Sequence, residues 1–544
     1  MPNSMVPNTA AMLIRSFDSL NLPLAWRRVL QWARGGSSDS MDRLPFEVRD
    51  RLDGDAPSLA RDHQISAVGI MMASKKSGTF RPFARFEPTD LMLYQALVDR
   101  LAPTIEPALG SRAHVMAFRQ TLDEDADNPF AGSPSFVDYA DQVEAVLEAQ
   151  IPAQLSIFGA VGAGPVMTRG FVLSTDISGY FIHIDIDELE KSLLALDSPT
   201  DVVRDLGDLL RVWRLAGVRG LPQGVRASSP LANFYLKPLD ALLNEMSVSW
   251  VRWMDDITLT TERYAEARRI LDTAEKLLYD RGLTLNSGKT RIRRADLDAS
   301  PIPADALARR KGSTRAEITA LVEAGYIDSD EAPEPAEIDE ELALEELNAL
   351  LDGASEQELP ERFQSRVIAA LRDLEGLEVA HRLNEMTRVL ARAPDLTYVV
   401  LRYVASVAKD SLQAATDVFL RSLGGEHYLR EYEKLAVCRA ALIMPPTPAL
   451  AVPFGELAAS DPSFLVRARA LLAWGAHSAS DDFSSADSFW AVTPGPWKMY
   501  PLVAIQRKQA DERDARYERW SGEGRYLGRL ASQLRTYPIR WTKT

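Results

Sequence analysis

Two adjacent aspartates, Asp255 and Asp256, stand between two short apolar runs that have the composition of β-strands. A third aspartate, Asp176, ends an earlier run of the same kind. Neighbouring carboxylates in a tight turn repel each other, so a fold that gathers all three needs a compensating cation. Hard oxygen ligands favour Mg²⁺, the usual partner of a nucleoside triphosphate. The three acids therefore predict strand ends that meet around divalent metal, although an Asp-Asp pair alone is more typical of an ordinary turn.

The length and composition are those of a globular protein with two or three domains, because 544 residues with 46% apolar side chains can form packed cores. No apolar run reaches the roughly 18 residues that cross a bilayer, and the N-terminus lacks the order of a signal peptide. The single Cys438 excludes an internal disulfide framework and a zinc site built on several cysteines. We predict a cytoplasmic protein without membrane contact.

Charge is distributed unevenly along the chain. The net charge of −15 argues against indiscriminate binding to nucleic acid. Residues 328–346 carry ten carboxylates and no Lys or Arg, whereas residues 505–544 carry ten Lys or Arg against five acids. A local basic surface can therefore still hold phosphate.

The chain changes character near residue 300. Strand and helix patterns alternate from about 61 to 295, which predicts an α+β arrangement. The predicted helices of this part span residues 135–150, 186–197, 199–214 and 263–282. A Pro-rich acidic linker with a short helix over 314–325 follows. Apolar residues then recur at helical spacing, which predicts an irregular array of antiparallel helices. These helices span residues 340–352, 362–373, 376–392, 396–408, 411–422, 428–443 and 463–478.

Three stretches of the chain together resemble a known set of motifs, because they occur in a fixed order: residues 176–181, 220–236 and 252–256. In this order they resemble the palm motifs A, B and C of reverse transcriptases. Residues 75–82 look like the fingers hairpin of that family, and residues 282–290 look like its motif D. The resemblance covers about residues 61–295. It implies an α+β right-hand fold of fingers and palm, followed by the all-α irregular helical-repeat domain.

The resemblance divides the chain into four predicted parts. They are an N-terminal helical extension over 1–60, fingers and palm over 61–300, an acidic linker over 301–336, and the helical-repeat domain with a basic and aromatic tail over 337–544.

The resemblance also implies roles for individual residues. Asp176, Asp255 and Asp256 would be catalytic and, with Ile177, would hold two Mg²⁺ ions, for which Mn²⁺ can substitute. One ion would lower the pKa of a primer hydroxyl and the other would neutralise the pyrophosphate leaving group. Residues expected to bind the nucleotide are Lys75, Lys76, Arg81, Phe181, Gln223 and Lys289. For Lys289, an ordinary surface lysine is an equal alternative.

Further residues are expected to face the ribose or the nucleic acid. A bulky Phe181 would exclude a ribose 2′-hydroxyl, which favours DNA as the product. The glycines around Gln223 would let backbone approach the nascent base pair, since glycine has no Cβ. Residues assigned to nucleic-acid binding are Gly220, Gly224, Arg252, Trp253, Arg525 and Trp541. The family usually has Tyr in place of Trp253, so this chain keeps an aromatic shelf there but lacks the hydroxyl.

The C-terminal tail has two interpretations. Arginines alternate with aromatic residues from Arg507 onward, and this combination holds single strands in many proteins. Acidic residues at helical spacing, such as Asp514 and Glu518, instead fit an ordinary exposed helix with ion pairs. The second interpretation is favoured.

A polymerase core followed by a long helical region resembles the abortive-infection reverse transcriptases and related defence enzymes of bacteria. That resemblance implies synthesis of single-stranded DNA from dNTPs, RNA-directed or without a template, with a protein hydroxyl as a candidate primer. Parts of that group carry RNA and assemble as oligomers, so a template or non-coding RNA and a homo-oligomer are candidate partners. The alternatives are a templated retroelement or intron-type reverse transcriptase, and an inactive nucleic-acid-binding scaffold.

Overall fold

The computed structural model describes residues 10–34, 44–53, 56–66, 68–74, 80–148, 170–294, 340–353, 363–393, 396–424, 429–493, 495–522 and 525–539. The described strands are β1 (Ala10–Ala11), β2 (Gln64–Ile65), β3 (Gly69–Ser74), β4 (Phe80–Arg85), β5 (Phe171–Thr175), β6 (Ser249–Trp253), β7 (Asp256–Thr261) and β8 (Arg291–Arg294).

Helices of the first half surround these strands. They are α1 (Leu22–Arg34), α2 (Leu44–Asp53), α3 (Pro88–Ala108), α4 (Phe136–Glu148), α5 (Tyr180–His183), α6 (Ile186–Leu194), α7 (Thr200–Leu215), α8 (Ser228–Tyr235), α9 (Lys237–Glu245) and α10 (Tyr264–Asp280).

In the second half, every described element is a helix. Its α-helices are α11 (Glu340–Gly353), α12 (Phe363–Gly376), α13 (Met386–Arg392), α14 (Thr397–Ser406), α15 (Leu412–Leu423), α16 (Glu431–Ala441), α17 (Ala451–Ser460), α18 (Phe464–His477), α19 (Ser484–Val492), α20 (Met499–Ala504), α21 (Ala510–Ser521) and α22 (Arg525–Thr536). Within the described ranges, no helix is both long and apolar enough to cross a membrane.

A four-stranded antiparallel sheet with the order β6-β7-β5-β8 forms the centre of the first half. Leu173 of β5 and Leu259 of β7 are buried, as are Leu239 of α9 and Ile270 of α10. These apolar side chains line one common space between the sheet and the two helices. Burial of one sheet face on helices leaves the strand ends free to carry polar residues.

Apolar side chains assemble into two large cores. One core joins the sheet to α1 and α3 through residues such as Trp26 and Leu97, and the other joins the helices of the second half. Helix α2 contributes Val48 and Leu52 to the second core. The predicted N-terminal extension therefore packs into both cores and does not form a separate layer. The domain boundaries remain a prediction.

A small third cluster joins the β3–β4 hairpin to the helical half. Met71 of β3 packs with Leu435 of α16 and Val466 of α18, and Phe83 of β4 lies against them. Because Met71 is only 1% exposed, this hairpin is covered by the helical half.

The α+β class with substantial helical content is confirmed, while a repeat architecture stays a prediction. The single helix predicted over 376–392 is wrong, because α12 ends at Gly376 and α13 begins only at Met386. Glu378 and Arg382 between them have φ values of +57° and +45°, which no α-helix contains. The predicted linker helix over 314–325 lies outside the described residues.

Histidine 477 makes the second core sensitive to acid. Its Nδ1 accepts a hydrogen bond from the Thr447 amide at 3.0 Å, and its Nε2 donates to the Ala441 carbonyl at 2.9 Å. This pattern needs neutral imidazole, and burial lowers the pKa of His477 to about 4. The unfolded chain, with a histidine pKa near 6.5, binds more protons between these two values. Stability from this group is therefore present above about pH 6.5 and lost as the pH falls towards 4.

We expect the free energy of unfolding to fall by up to about 3 kcal/mol from this group between pH 6.5 and 4. Urea unfolding at a series of pH values measures this slope. A His477→Gln variant keeps one acceptor and one donor but cannot titrate, so its slope should be flatter. Equal slopes for the two proteins would contradict the assignment.

Candidate active site

Strand register brings two of the three aspartates together. Strands β5 and β7 are antiparallel, and their ladder ends with Thr175 opposite Ile257, so Asp176 and Asp256 occupy the next facing positions just beyond it. The Asp176 carboxyl group is among the neighbours that raise the pKa of Asp256. Asp255 occupies the two-residue turn between β6 and β7, because Trp253 pairs with Asp256 across that turn. The predicted catalytic residues thus lie at one end of the central sheet.

The segment before β8 closes over this end of the sheet. Asn286 donates its side-chain amide to Asp176 Oδ2 at 3.0 Å and its backbone amide to the Asp176 carbonyl at 2.7 Å. Lys289 Nζ lies 3.2 Å from Asp176 Oδ2 and 3.9 Å from Asp256 Oδ1. Lys289 therefore interacts with both carboxylates. A backbone bridge between Ile177 and Leu285 extends the same contact.

The three aspartates at this end of the sheet place like charges close together, and this affects the ionisation of Asp256. Burial first, and then the charges of Asp255 and Asp176, raise the pKa of Asp256 to about 7, while Lys289 opposes the shift. The Asp256 side chain is still 39% exposed, so water screens part of this repulsion. A cation next to these carboxylates favours their ionised form.

The residues at this end of the sheet fit a divalent ion by their donor chemistry. Carboxylate oxygens are the ligands that Mg²⁺ prefers, and a cation relieves the repulsion that raises the Asp256 pKa. Across the described residues, no three His, Cys, Asp or Glu side chains are grouped as a ready metal site. The assignment of metal to Asp176, Ile177, Asp255 and Asp256 stays a prediction.

Lys289 would compete with a metal ion for the same oxygens. A Lys289→Gln variant removes the ammonium next to Asp176 and Asp256. We expect it to bind Mn²⁺ several-fold more tightly than the wild type, because the ion no longer displaces a cation. Electron paramagnetic resonance titration measures the free Mn²⁺. Lys276→Gln, at an exposed lysine of α10, is the matched control and should leave the affinity unchanged. Weaker binding by Lys289→Gln would contradict competition.

The loop of residues 220–227 lies next to the helix that follows Asp176. The Leu221 amide donates to the Phe181 carbonyl at 2.9 Å. Gly220 has a φ of +57°, and a Cβ there would come within 2.2 Å of the same carbonyl. Gln223 in the same loop is partly exposed. Phe181 and Gln223 thus lie on neighbouring segments, and their contacts with nucleotide stay predictions.

Gly224 is required by a side chain of the β3–β4 hairpin. Its φ is +83°, and a Cβ there would meet the Phe83 ring at 2.3 Å. Close packing within the protein, on Phe181 and on Phe83, therefore accounts for glycine at both positions. The sequence interpretation, that their missing Cβ makes room for nucleic acid, is not needed to explain them.

The structure describes only part of the predicted fingers hairpin, residues 75–82. Lys75 and Lys76 lie outside the described residues. Arg81 lies in β4 opposite Ala73 of β3, and only its backbone is described. Their proposed contact with triphosphate stays a prediction.

Two residues assigned to nucleic-acid binding are buried, and that prediction is corrected. Arg252 is 0% exposed and pairs with Asp240 at 2.7 Å. Trp253 is 6% exposed and lies in an aromatic cluster with Phe118, Phe136 and Tyr139. Neither side chain presents a surface to a nucleic acid, because protein atoms already enclose it.

The described part of the tail has one ion pair at helical spacing, Arg516 with Glu512, but its aromatic side chains are not those of an exposed helix. Tyr517 and Trp520 are buried, and the Trp520 ring stacks on Trp490 at 4.3 Å. Arg516 and Arg519 form ion pairs with Asp487. These aromatic and basic residues thus pack α21 onto the helical core. The side chain of Arg525 and all of Trp541 lie outside the described part of the chain, so their assignment stays a prediction.

Sequence reasoning missed residues that support the site from beneath. Asp240 and Asn233 both bind the Arg252 guanidinium, and neither was assigned a role. One signal was available: Arg252 stands in a run of apolar residues with Trp250, Val251 and Trp253, where a charge needs a buried partner.

Residues 74–302 match the family described as reverse transcriptase (RNA-dependent DNA polymerase). A reverse transcriptase domain is therefore present, and it spans less than half of the 544 residues. No curated protein sequence matches the chain.

Similar solved structures include two fungal telomerases. One is telomerase from Candida albicans in complex with a fragment of telomeric RNA, at 12% identity over 69% of this chain and 66% of that chain. The other is apo telomerase from Candida tropicalis, at 9% identity over 70% of this chain and 67% of that chain. This chain thus spans about two thirds of each telomerase chain. Both TM-scores are 0.30, a level at which the similarity carries no argument about function.

Proposed function

We propose that this protein is a divalent-metal-dependent DNA polymerase that adds dNTPs to a growing strand. The observation that carries the proposal is the close approach of Asp176 and Asp256, which share Lys289 at one sheet end, inside the segment that matches the reverse transcriptase family. Bound Mg²⁺ would activate the attacking hydroxyl and neutralise the leaving pyrophosphate. Asp176, Asp255 and Asp256 would hold the metal, with Ile177 beside them.

The surrounding residues support this chemistry in separate ways. Asn286 fixes Asp176 through two hydrogen bonds, so that its carboxylate is oriented before a ligand arrives. Lys289 supplies positive charge at the same place and is the candidate contact for phosphate. The Phe181 carbonyl accepts a hydrogen bond from the Leu221 amide, which fixes the backbone of this residue. The Phe181 ring would lie against the ribose and select deoxynucleotides.

The first experiment tests the chemistry. Purified protein is incubated with each labelled dNTP and Mg²⁺, with and without RNA, beside an Asp255→Ala variant. Product that stays with the protein after denaturation and disappears on proteolysis would indicate priming by a protein hydroxyl. Product that needs RNA and is complementary to it would indicate templated copying. No incorporation under any of these conditions would contradict the polymerase and favour the scaffold alternative.

We further propose a role in bacterial defence against phage by abortive infection, with RNA and a homo-oligomer as candidate partners. The support is a polymerase-like first half joined to a long helical second half, as in the defence enzymes that the sequence resembles. Expression in a bacterial host that is challenged with phages tests it. Protection by the wild type that is lost in Asp255→Ala would support the proposal, and equal plaque counts would contradict it.

A further inference from the structure

Arg252 is a buried charge directly beneath the turn that carries Asp255. Its guanidinium is 0% exposed, and the residue is the last but one of strand β6, two positions before Met254 of that turn. We infer that Arg252, paired with Asp240, is a positioning residue that holds the Asp255–Asp256 turn in its working conformation. This inference rests on the proposed function for its catalytic consequence, but its structural part can be tested without activity.

Four hydrogen bonds from the guanidinium reach two helices below the sheet. Arg252 Nε and Nη2 donate to the two carboxylate oxygens of Asp240 in α9, at 2.7 and 2.8 Å. Nη1 donates to Asn233 Oδ1 in α8 at 2.7 Å, and Nη2 also donates to the Asn233 carbonyl at 3.1 Å. This two-pronged pairing fixes the plane of the guanidinium as well as its position.

A fifth hydrogen bond reaches the turn itself. Nη1 donates to the Met254 carbonyl at 3.1 Å. Met254 has a φ of +54°, a left-handed conformation that residues other than glycine rarely adopt. Such a conformation persists only where the surroundings impose it. The buried arginine therefore supports a strained residue directly before Asp255.

The backbone of Arg252 is anchored from the other side. Its amide donates to the His114 carbonyl at 2.8 Å, and its carbonyl accepts from the Met116 amide at 3.3 Å. Asn233 in turn donates its side-chain amide to the Ala117 carbonyl at 2.6 Å. Arg252 is thus in contact with segment 114–117, with α8 and with α9. A shift of any of these elements would move Arg252 and, through it, the turn.

A stabilising role alone does not account for a charge at this position. A buried ion pair can often be replaced by apolar side chains of similar volume without loss of stability, because burying charge opposes its own attraction. With an apolar pair at these two positions, the Met254 carbonyl would lose the hydrogen bond that Arg252 Nη1 donates to it. We therefore attribute the presence of a guanidinium at this position to its hydrogen bond with the turn.

The test uses a double variant, Arg252→Met with Asp240→Leu, which leaves no unpaired charge in the core. Its matched control is Arg28→Met with Asp99→Leu, at another buried pair, 2.7 Å apart, between α1 and α3. Hydrogen exchange of the peptide covering residues 249–261 is measured at a temperature at which circular dichroism shows both proteins folded. Incorporation of dNTPs is measured as kcat and KM in parallel.

We expect the turn peptide to exchange at least about ten-fold faster in the Arg252 double variant and unchanged in the control. We expect kcat to fall about 100-fold with KM for dNTP little changed, since misplacing a catalytic group by about 1 Å has this effect. If the double variant does not fold, Arg252→Lys replaces it, because lysine keeps the charge next to Asp240 but cannot make the planar contacts.

Unchanged exchange in the turn, or an equal change in the control, would overturn the inference. If the wild type itself incorporates no dNTP, the proposed function fails, and hydrogen exchange still decides whether Arg252 positions the turn. If the turn loosens while kcat stays at the wild-type level, the positioning role in catalysis is overturned, whereas the polymerase proposal stands.

Discussion

Replacing Asp256 by asparagine is expected to reduce dNTP incorporation by about 10³-fold or more while leaving the protein folded. Asparagine keeps the shape of the side chain but removes the charge that would hold metal beside Asp176. The folded protein should be as stable as the wild type or more stable, because Asp256 has its pKa raised to about 7 by burial and by its acidic neighbours. Loss of activity together with undiminished stability distinguishes a functional acid from a structural one.

Steady-state incorporation of labelled dNTP and thermal unfolding without metal together measure the two effects. Asp280→Asn is the matched control, because Asp280 is exposed at the C-terminal end of α10. It should leave both quantities unchanged. Incorporation by Asp256→Asn within about three-fold of the wild-type rate, a difference of less than about 1 kcal/mol in the barrier, would remove Asp256 from the chemistry.

Replacing Gly220 by alanine is expected to destabilise the first half by about 3 kcal/mol or more and to abolish incorporation with it. Two effects add at this residue. A φ of +57° strains any side chain, and the new Cβ would lie 2.2 Å from the Phe181 carbonyl. The neighbour is backbone, which cannot rotate away. The clash would therefore move Phe181, and with it the helix that follows Asp176.

Gly110→Ala separates the two effects. Gly110 has a φ of +70°, but a Cβ at this residue would have no neighbouring atom within 4 Å, so only the conformational strain of about 1–2 kcal/mol applies. Chemical unfolding of both variants measures the difference. If Gly220→Ala were no less stable than Gly110→Ala, the close approach to Phe181 would not be a real constraint.

Local pattern was a good guide wherever structure depends on near neighbours. Apolar spacing predicted helices over 186–197 and 263–282, and the structure has them at Ile186–Leu194 and Tyr264–Asp280. It failed over 376–392, where an apolar rhythm continues through a break at Glu378 and Arg382. The spacing of apolar residues shows which side chains are buried, but it does not show where the backbone turns left-handed.

The candidate site was predictable in part for the same reason. Asp176, Asp255 and Asp256 end or join strands, and strand ends can be recognised from composition. Arg252 and Trp253 were assigned to nucleic acid because they adjoin these acids in the chain. Their burial depends on Asp240 and Phe136, which lie outside the motif stretches and meet Arg252 and Trp253 only through the fold.

Most element types, the order of the motifs and the three acids at strand ends can be read from the amino-acid sequence, because they depend on side-chain composition and short-range spacing. The approach of Asp176 to Asp256, the position of Lys289 beside both, and the support of the turn by Arg252 become visible only in the folded chain. Register between strands and the partners of buried charges arise from contacts between distant residues. Such contacts are set by the packing of the whole chain, which no local stretch contains.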